Sequence, residues 1–330
     1  MTQPSLSDSS SSPLYVGIDV AKEKLDLATS EFKEVRQFDN NPAGIARIVK
    51  LMTANKPVMI VIESTGGLER QLLHALLEVE LPVALVQPKR VRYFAKALGI
   101  LAKTDQIDGH VLVAFGQKAA PRLSEKLSEN QIALSDLITC RKQLVITQTQ
   151  QTNRRGTTTN KDALKAMDAV LRALQKQIES LDKKIRKIIE ADDAFNDLDK
   201  LLQSVPGVGP GLSAALIADV PELGKTDRQE VGALVGVAPF AKDSGNTKGQ
   251  RSISGGRAGV RSVLYMATQA AIRFNPIIKV FAERLEAAGK LPKVVIVACM
   301  RKLLTMLNAM VRDRITWQEL NVVKKFAIAA

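Results

Sequence analysis

Four carboxylates stand where a divalent cation could be held. Asp19 ends the apolar run YVGIDV and Glu63 ends VMIVIE, both with the composition of buried strands. A charge at the end of a buried strand is costly unless it is paired or bound to a cation. Asp105 and Asp108, in KTDQIDGHVL, lie three apart in a helical pattern and share one face. Oxygen donors from two strand ends and one helix suit Mg2+ (or Mn2+), and two such ions about 4 Å apart can clamp the attacking and leaving oxygens of a phosphodiester. Each residue has a plainer alternative: Asp105 could cap its helix, and Glu63 could pair with a lysine. The set of four is harder to assign to structure alone.

A second cluster lies in GVAPFAKDSGNTKGQRSISGGRAGVR, residues 236–261. Ser244 is followed by a glycine and surrounded in sequence by Lys242, Lys248, Arg251, Arg257 and Arg261. A serine hydroxyl attacks phosphorus only when something withdraws its proton and something neutralises the phosphorane. Arginines suit the second task, a carboxylate or metal the first. Ser252, Ser254 and Ser262 share the region, and glycine–serine–lysine loops often only bind phosphate, so site logic alone leaves the nucleophile open. Upstream, VPGVGPG places Gly207 and Gly209 in a turn between two helical stretches. Backbone amides and a helix N-terminus there could meet a phosphate, although such a turn can equally be structural.

These groups need a scaffold, and the hydrophobic periods supply one. Strands are expected over 14–19, 24–30 and 35–38, then a helix over 43–53 and a strand over 58–63. A helix over 67–79, a strand over 82–86 and helices over 89–98 and 105–118 follow. Strand, strand, strand, helix, strand, helix, strand is the order of a ribonuclease-H-like sheet, which other α/β folds share in part. An amphipathic helix over about 124–151 comes next. Then Leu164, Met167, Leu171, Leu174, Ile178, Leu181, Ile185 and Ile188 alternate at intervals of three and four, the seam of a coiled coil. That seam serves either an intramolecular helical hairpin or a dimer contact. A helix–turn–helix over 201–218 and helices near 263–273, 276–288 and 293–312 complete the chain.

Length and composition narrow the class. At 330 residues the chain exceeds the roughly 250–300 at which a single core stops growing, so more than one domain is expected. The longest apolar run, 294–300, is far short of the ~20 residues of a membrane span, and no basic-then-apolar leader is seen; no membrane role is expected. The serine-rich stretch 5–12 reads as a disordered tail. Two cysteines, Cys140 and Cys299, make a disulfide framework improbable and point to the cytoplasm, and His74 and His110 are too few for a Cys/His zinc site. Net charge +13 points to a polyanion. Residues 1–120 carry 14 Lys and Arg against 13 Asp and Glu, whereas residues 225–330 carry 18 against 7, a net of +11. A near-neutral front and a basic back fit a chemical domain followed by a phosphate-gripping one. Aromatics at 4% argue against a single-strand binder built on base stacking.

The motifs GIDVAKEKLD, IEST and KTDQIDGHVL resemble the N-terminal DEDD domain of insertion-sequence transposases related to RuvC-like resolvases. VPGVGPGLSAALIADVPELG, GVAPFAKDSG, ISGGRAGVRSVLYMA, NPIIKVFAERLEAAGK and KVVIVACMRKLLTMLNAMVRD resemble their second domain. The likeness runs from about Tyr15 to Asp313. It implies that Asp19, Glu63, Asp105 and Asp108 are the DEDD set and that Ser244 is the catalytic serine. It further implies donor and target DNA as partners, a structured guide RNA that delegates sequence choice to base pairing, and a homo-oligomer, dimer or tetramer, with composite active sites. Association with the nucleoid during activity follows.

The expected fold class is α/β plus all-α. A disordered tail (1–13), a RuvC-like DEDD domain (14–122) and a helical coiled-coil connector (123–200) precede a mainly helical domain (201–330) with a helix-hairpin-helix-like segment. Two rival functions remain. A junction-resolvase-like or ribonuclease-H-like nuclease would use the four carboxylates and water, leaving Ser244 idle. A non-catalytic architectural DNA-binding protein would be expected to lack carboxylates that are present here.

Overall fold

Val16, Ile18 and Val20 of β1 (Tyr15–Val20) alternate with Gly17 and Asp19, and Leu25 and Leu27 of β2 (Lys24–Thr29) alternate with Asp26 and Ala28. Period-2 alternation puts one set on each face of a sheet. The computed structural model describes residues 13–102, 104–240 and 251–319, apart from the side chain of Asp105. The serine-rich tail and Lys242, Ser244 and Lys248 lie outside the described residues. The chain divides into two compact units, Met1–Leu127 and Ser128–Ala330.

In the first unit β3 (Arg36–Asp39), α1 (Pro42–Asn55), β4 (Met59–Glu63), α2 (Arg70–Glu78), β5 (Val83–Val86), α3 (Pro88–Ala97) and α4 (Asp105–Ala119) follow in the expected element order. The sheet runs β3-β2-β1-β4-β5, antiparallel across β3, β2 and β1 and parallel across β1, β4 and β5. Ile48 and Met52 of α1 and Leu72 and Leu76 of α2 pack with Val16, Ile18, Ile60 and Ile62 on one face. Val91, Val111, Leu112 and Phe115 of α3 and α4 pack with Val61 and Val86 on the other.

The second face depends on a close approach. A Cβ on Gly17 would lie 2.5 Å from the Gly109 carbonyl oxygen and 2.6 Å from Leu112 Cβ, so α4 rests directly on the β1 backbone. Gly17→Val is therefore expected to destabilise the unit by roughly 1–3 kcal/mol through overpacking, read as a lower urea midpoint with an unchanged slope. A midpoint equal to that of the parent would mean that α4 can lift off without loss.

The second unit comprises α5 (Glu129–Gly156), α6 (Lys161–Ala191), α7 (Asp193–Gln203), α8 (Pro210–Asp219), α9 (Arg228–Val235), β6 (Pro239–Phe240), β7 (Ser252–Ile253), α10 (Ala258–Phe274), α11 (Pro276–Ala287) and α12 (Pro292–Asp313). From Ser128 onward, the segment expected as a connector is packed into this unit. Arg141 and Asp182, Gln148 and Gln175, and Arg155 and Asp168 bond across α5 and α6. Each step is seven residues on both helices, which run antiparallel. α5 and α6 thus form a helical hairpin within the chain; of the seam residues Ile178 and Ile185 are buried, whereas Leu164, Met167, Leu171, Leu174, Leu181 and Ile188 are half-buried.

The unit's core is formed largely by α8, buried from Leu212 to Ala218, and α12, where Val295, Cys299, Leu303, Leu304 and Leu307 are buried. By length and composition α12 is apolar enough to cross a bilayer; its buried face here packs in the core. Buried Asn308 accepts from the Gly224 amide at 2.8 Å and donates to the Thr226 carbonyl at 2.8 Å, tying the loop before α9 to α12. Two features depart from the sequence reading. Residues 228–235 form α9, opened by an Asp227–Glu230 capping box, and β6 pairs with β7 as a two-stranded antiparallel sheet.

Candidate active site

The parallel register of β1 and β4 pairs Ile18 with Ile62, so Asp19 and Glu63 are the next residues on adjacent strands, about 4.8 Å apart in backbone spacing. Both share a face with Gly17 and Val61, the face that α4 covers. A Cβ on Gly116 would touch Val61, Tyr15 and Met59, near the strand starts, whereas Gly109 sits over Gly17 and Ala28. Hence α4 runs against β1, and its N-terminus, with Asp105 and Asp108, lies at the strand ends that carry Asp19 and Glu63. Thr104 caps that end by accepting from the Ile107 amide at 3.3 Å. Asp105 opens the helix but is not the cap, which removes one of its plain alternatives. The unpaired amides and dipole of a helix N-terminus favour negative charge.

Such an all-oxygen donor set fits a hard divalent cation in its chemistry. Among the described residues, no three His, Cys, Asp or Glu side chains draw together closely enough to hold a metal, and the Asp105 side chain lies outside that set.

Two buried acidic residues near these strands escaped the sequence reading. Asp26 pairs with Asp19 across β1 and β2, is 4% exposed, and is held by Gln37 Nε2 at 2.9 Å and Lys24 Nζ at 3.3 Å. A lone acid between Leu25 and Leu27 was the available signal. Glu69, 5% exposed, precedes α2 and turns back towards the residues that follow Glu63.

In the second unit the expected phosphate contacts divide. The Arg257 guanidinium forms a double bond-pair with Glu222, at 2.8 and 2.7 Å. Arg261 donates to the Val235 and Gly255 carbonyls at 3.3 and 2.5 Å. In these bonds both tie the start of α10 to the residues around α9. Gly207, at φ +95°, lies against α10, and a Cβ there would come within 2.5 Å of Ala271 Cα; it serves helix packing. Gly209 caps α8 with open space around it. Arg251 lines a cavity of about 1020 Å³ between α9, α11, α12 and the β6–β7 pair. Phe281, Val297 and Met306 contribute to its apolar lining, and Arg228, Lys293 and Arg301 add charge beside Arg251.

Two family profiles match the chain. One, for DEDD transposases of the IS110 kind and described as "Transposase", covers residues 16–158. The other, described as "Transposase IS116/IS110/IS902 family", covers residues 199–283. The pilin gene-inverting protein of Moraxella lacunata is 29% identical over 321 residues, 92% of this chain and 97% of that one. An uncharacterized 43.6 kDa protein of insertion element IS110 from Streptomyces coelicolor is 24% identical over 204 residues, 61% of this chain and 46% of that one. Among solved structures, T. thermophilus RuvC in complex with a Holliday junction substrate aligns with a TM-score of 0.26 at 15% identity, covering 34% of this chain and 100% of RuvC.

Both profiles describe transposases, and between them they account for most of the chain, which is therefore an enzyme of the DNA transposase class. It belongs to the IS116/IS110/IS902 transposase family.

Proposed function

We propose that this transposase cuts and rejoins DNA to mobilise an insertion sequence through a serine nucleophile, with Asp19, Glu63, Asp105 and Asp108 holding Mg2+ or Mn2+. The observation that carries the reading is the register: Asp19 and Glu63 are side by side at the same end of adjacent parallel strands, on the face where the α4 N-terminus brings Asp105 and Asp108. A bound divalent cation supplies positive charge to the phosphodiester oxygens.

In the serine step, Ser244 Oγ attacks phosphorus. An Oγ–P bond forms, a bridging P–O bond to deoxyribose breaks, and the departing oxygen gains a proton as the serine loses one. The family resemblance supports Ser244. It also supports a structured guide RNA and a homo-oligomer whose composite sites join the carboxylates of one subunit to the serine of another. Cytoplasmic location with nucleoid association follows from that role. The direct experiment is to stop a cleavage reaction with denaturant and look for DNA covalently attached to the chain; free 5′ or 3′ ends without an adduct would favour the water-using nuclease instead.

The charge distribution gives a separate expectation. The net +11 of residues 225–330 should make DNA affinity fall about 10³-fold or more between 50 and 200 mM salt, because binding releases counterions. Arg251→Gln with Arg301→Gln should flatten that slope, whereas Lys22→Gln with Lys50→Gln should not. A slope unchanged by the first pair in filter-binding titrations would remove the cavity rim from the DNA path.

A further inference from the structure

The Glu69 carboxylate is buried and aimed backwards along the chain. Its Oε2 accepts from the Gly67 amide at 2.8 Å, the Thr65 amide at 3.1 Å and the Thr65 hydroxyl at 3.1 Å, and its Oε1 accepts from the Ser64 hydroxyl at 3.4 Å. All three donor residues lie in the turn that directly follows Glu63. The same turn is tied to the sheet by the Ser64 amide, which donates to the Val86 carbonyl at 2.9 Å. Its apex, Gly66 and Gly67, has φ of +76° and +112°. Side-chain-free residues at such angles are the permissive part of the chain, so the turn's shape is set by what its ends hold.

Burial raises the Glu69 carboxyl pKa, but bonds from the Glu69, Gly67 and Thr65 amides and the Thr65 hydroxyl outweigh it and hold the group below the ordinary glutamate range. An ionised carboxylate with three donors on one oxygen makes a strong, charge-assisted clasp. Nothing about α2 requires this orientation: its N-terminal amides receive no side-chain bond from Glu69.

We propose that Glu69 is a positioning residue for the metal-holding carboxylates: it clasps the 64–67 turn and so fixes the direction in which Glu63 leaves β4. The proposal rests on the reading that Glu63 is a metal ligand. A carboxylate on the last residue of a strand swings with the turn that follows it, and partners that orient a ligand typically change metal affinity by 10–100-fold when removed. Glutamine at this position keeps the clasp, since its amide oxygen can take the place of Oε2 while Ser64 rotates to accept from the amide nitrogen. Alanine cannot, and aspartate is one methylene short.

The test is Mn2+ titration of the full chain, with free Mn2+ read by electron paramagnetic resonance. Glu69→Ala and Glu69→Asp should weaken Mn2+ binding about tenfold or more, whereas Glu69→Gln should stay within about threefold of the parent. Thr65→Val, which removes one donor and keeps the side-chain volume, should weaken binding in the same direction and provides the measurement if Glu69→Ala does not fold. A merely structural role would lower thermal stability in Glu69→Ala or Thr65→Val and leave Mn2+ affinity unchanged; that result overturns the proposal, as does Glu69→Gln binding as weakly as Glu69→Ala. Glu63→Gln is the control. If it abolishes Mn2+ binding while the Glu69 and Thr65 variants retain it, the clasp fails and the metal reading stands; if Glu63→Gln also binds normally, the metal reading itself has failed.

Discussion

Asp19→Asn and Glu63→Gln should each leave a folded, DNA-binding protein that has lost strand cleavage by about 10³-fold or more. The size follows from the charge each side chain supplies. Stabilisation of a developing phosphorane through a metal is worth several kcal/mol, and about 4 kcal/mol corresponds to roughly 10³ in rate. Folding should survive because each amide is isosteric with its acid and the β1–β4 ladder is made by backbone. Binding should survive because the excess positive charge lies in residues 225–330, and phosphate contacts dominate DNA affinity. Asp26→Asn provides the contrast. Asp26 occupies the same row of side chains, but Lys24 and Gln37 hold it, so its loss should reduce stability more than cleavage. Cleavage by Asp19→Asn at the parental rate, measured on a nicked-strand gel in saturating Mg2+, would remove that residue from the chemistry. Equal loss in Asp26→Asn would mean that charge in the row matters, not the particular ligands.

The first unit was legible because its signals are local. Alternation in YVGIDV and the continuous run VMIVIE fix strands, and alternation alone places Asp19 on the face opposite Ile18. Adjacency of Asp19 and Glu63 was not legible, since it comes from a parallel register between strands more than forty residues apart. Glu69 was hidden for a related reason: its clasp depends on two glycines bending the chain back onto it. In the second unit the heptad spacing of α6 was plain, but its partner was not. The same seam suits α5 or another copy, and the Arg141–Asp182, Gln148–Gln175 and Arg155–Asp168 ladder shows that α5 packs along it. The charge of Arg257 is visible in sequence, but its partner Glu222, 35 residues away, is not. At Gly207 the glycine signal marks a close helix contact, which sequence alone does not show.

Ser244→Ala is expected to bind DNA with parental affinity and to form neither a covalent adduct nor a recombinant product. A phosphoserine ester conserves the energy of the broken phosphodiester, so exchanged strands can be rejoined without a nucleotide cofactor. Attack by water would release that energy and leave breaks. Removing a nucleophile that acts in concert with other groups lowers turnover by several orders of magnitude, as far as removing the whole set in some enzymes. β6 and β7 pair Phe240 with Ser252, and Arg251 lines the neighbouring cavity with Arg228, Lys293 and Arg301. Ser252 is held in that pairing, which makes it a poorer candidate for a group that must approach phosphorus. The decisive measurement is peptide mapping of denaturant-trapped complexes: the DNA-bearing peptide should contain Ser244 in the parent protein and be absent from Ser244→Ala. Parental recombination in Ser244→Ala would transfer the question to Ser252→Ala and Ser254→Ala, while free DNA ends made by the parent without any adduct would establish water as the nucleophile.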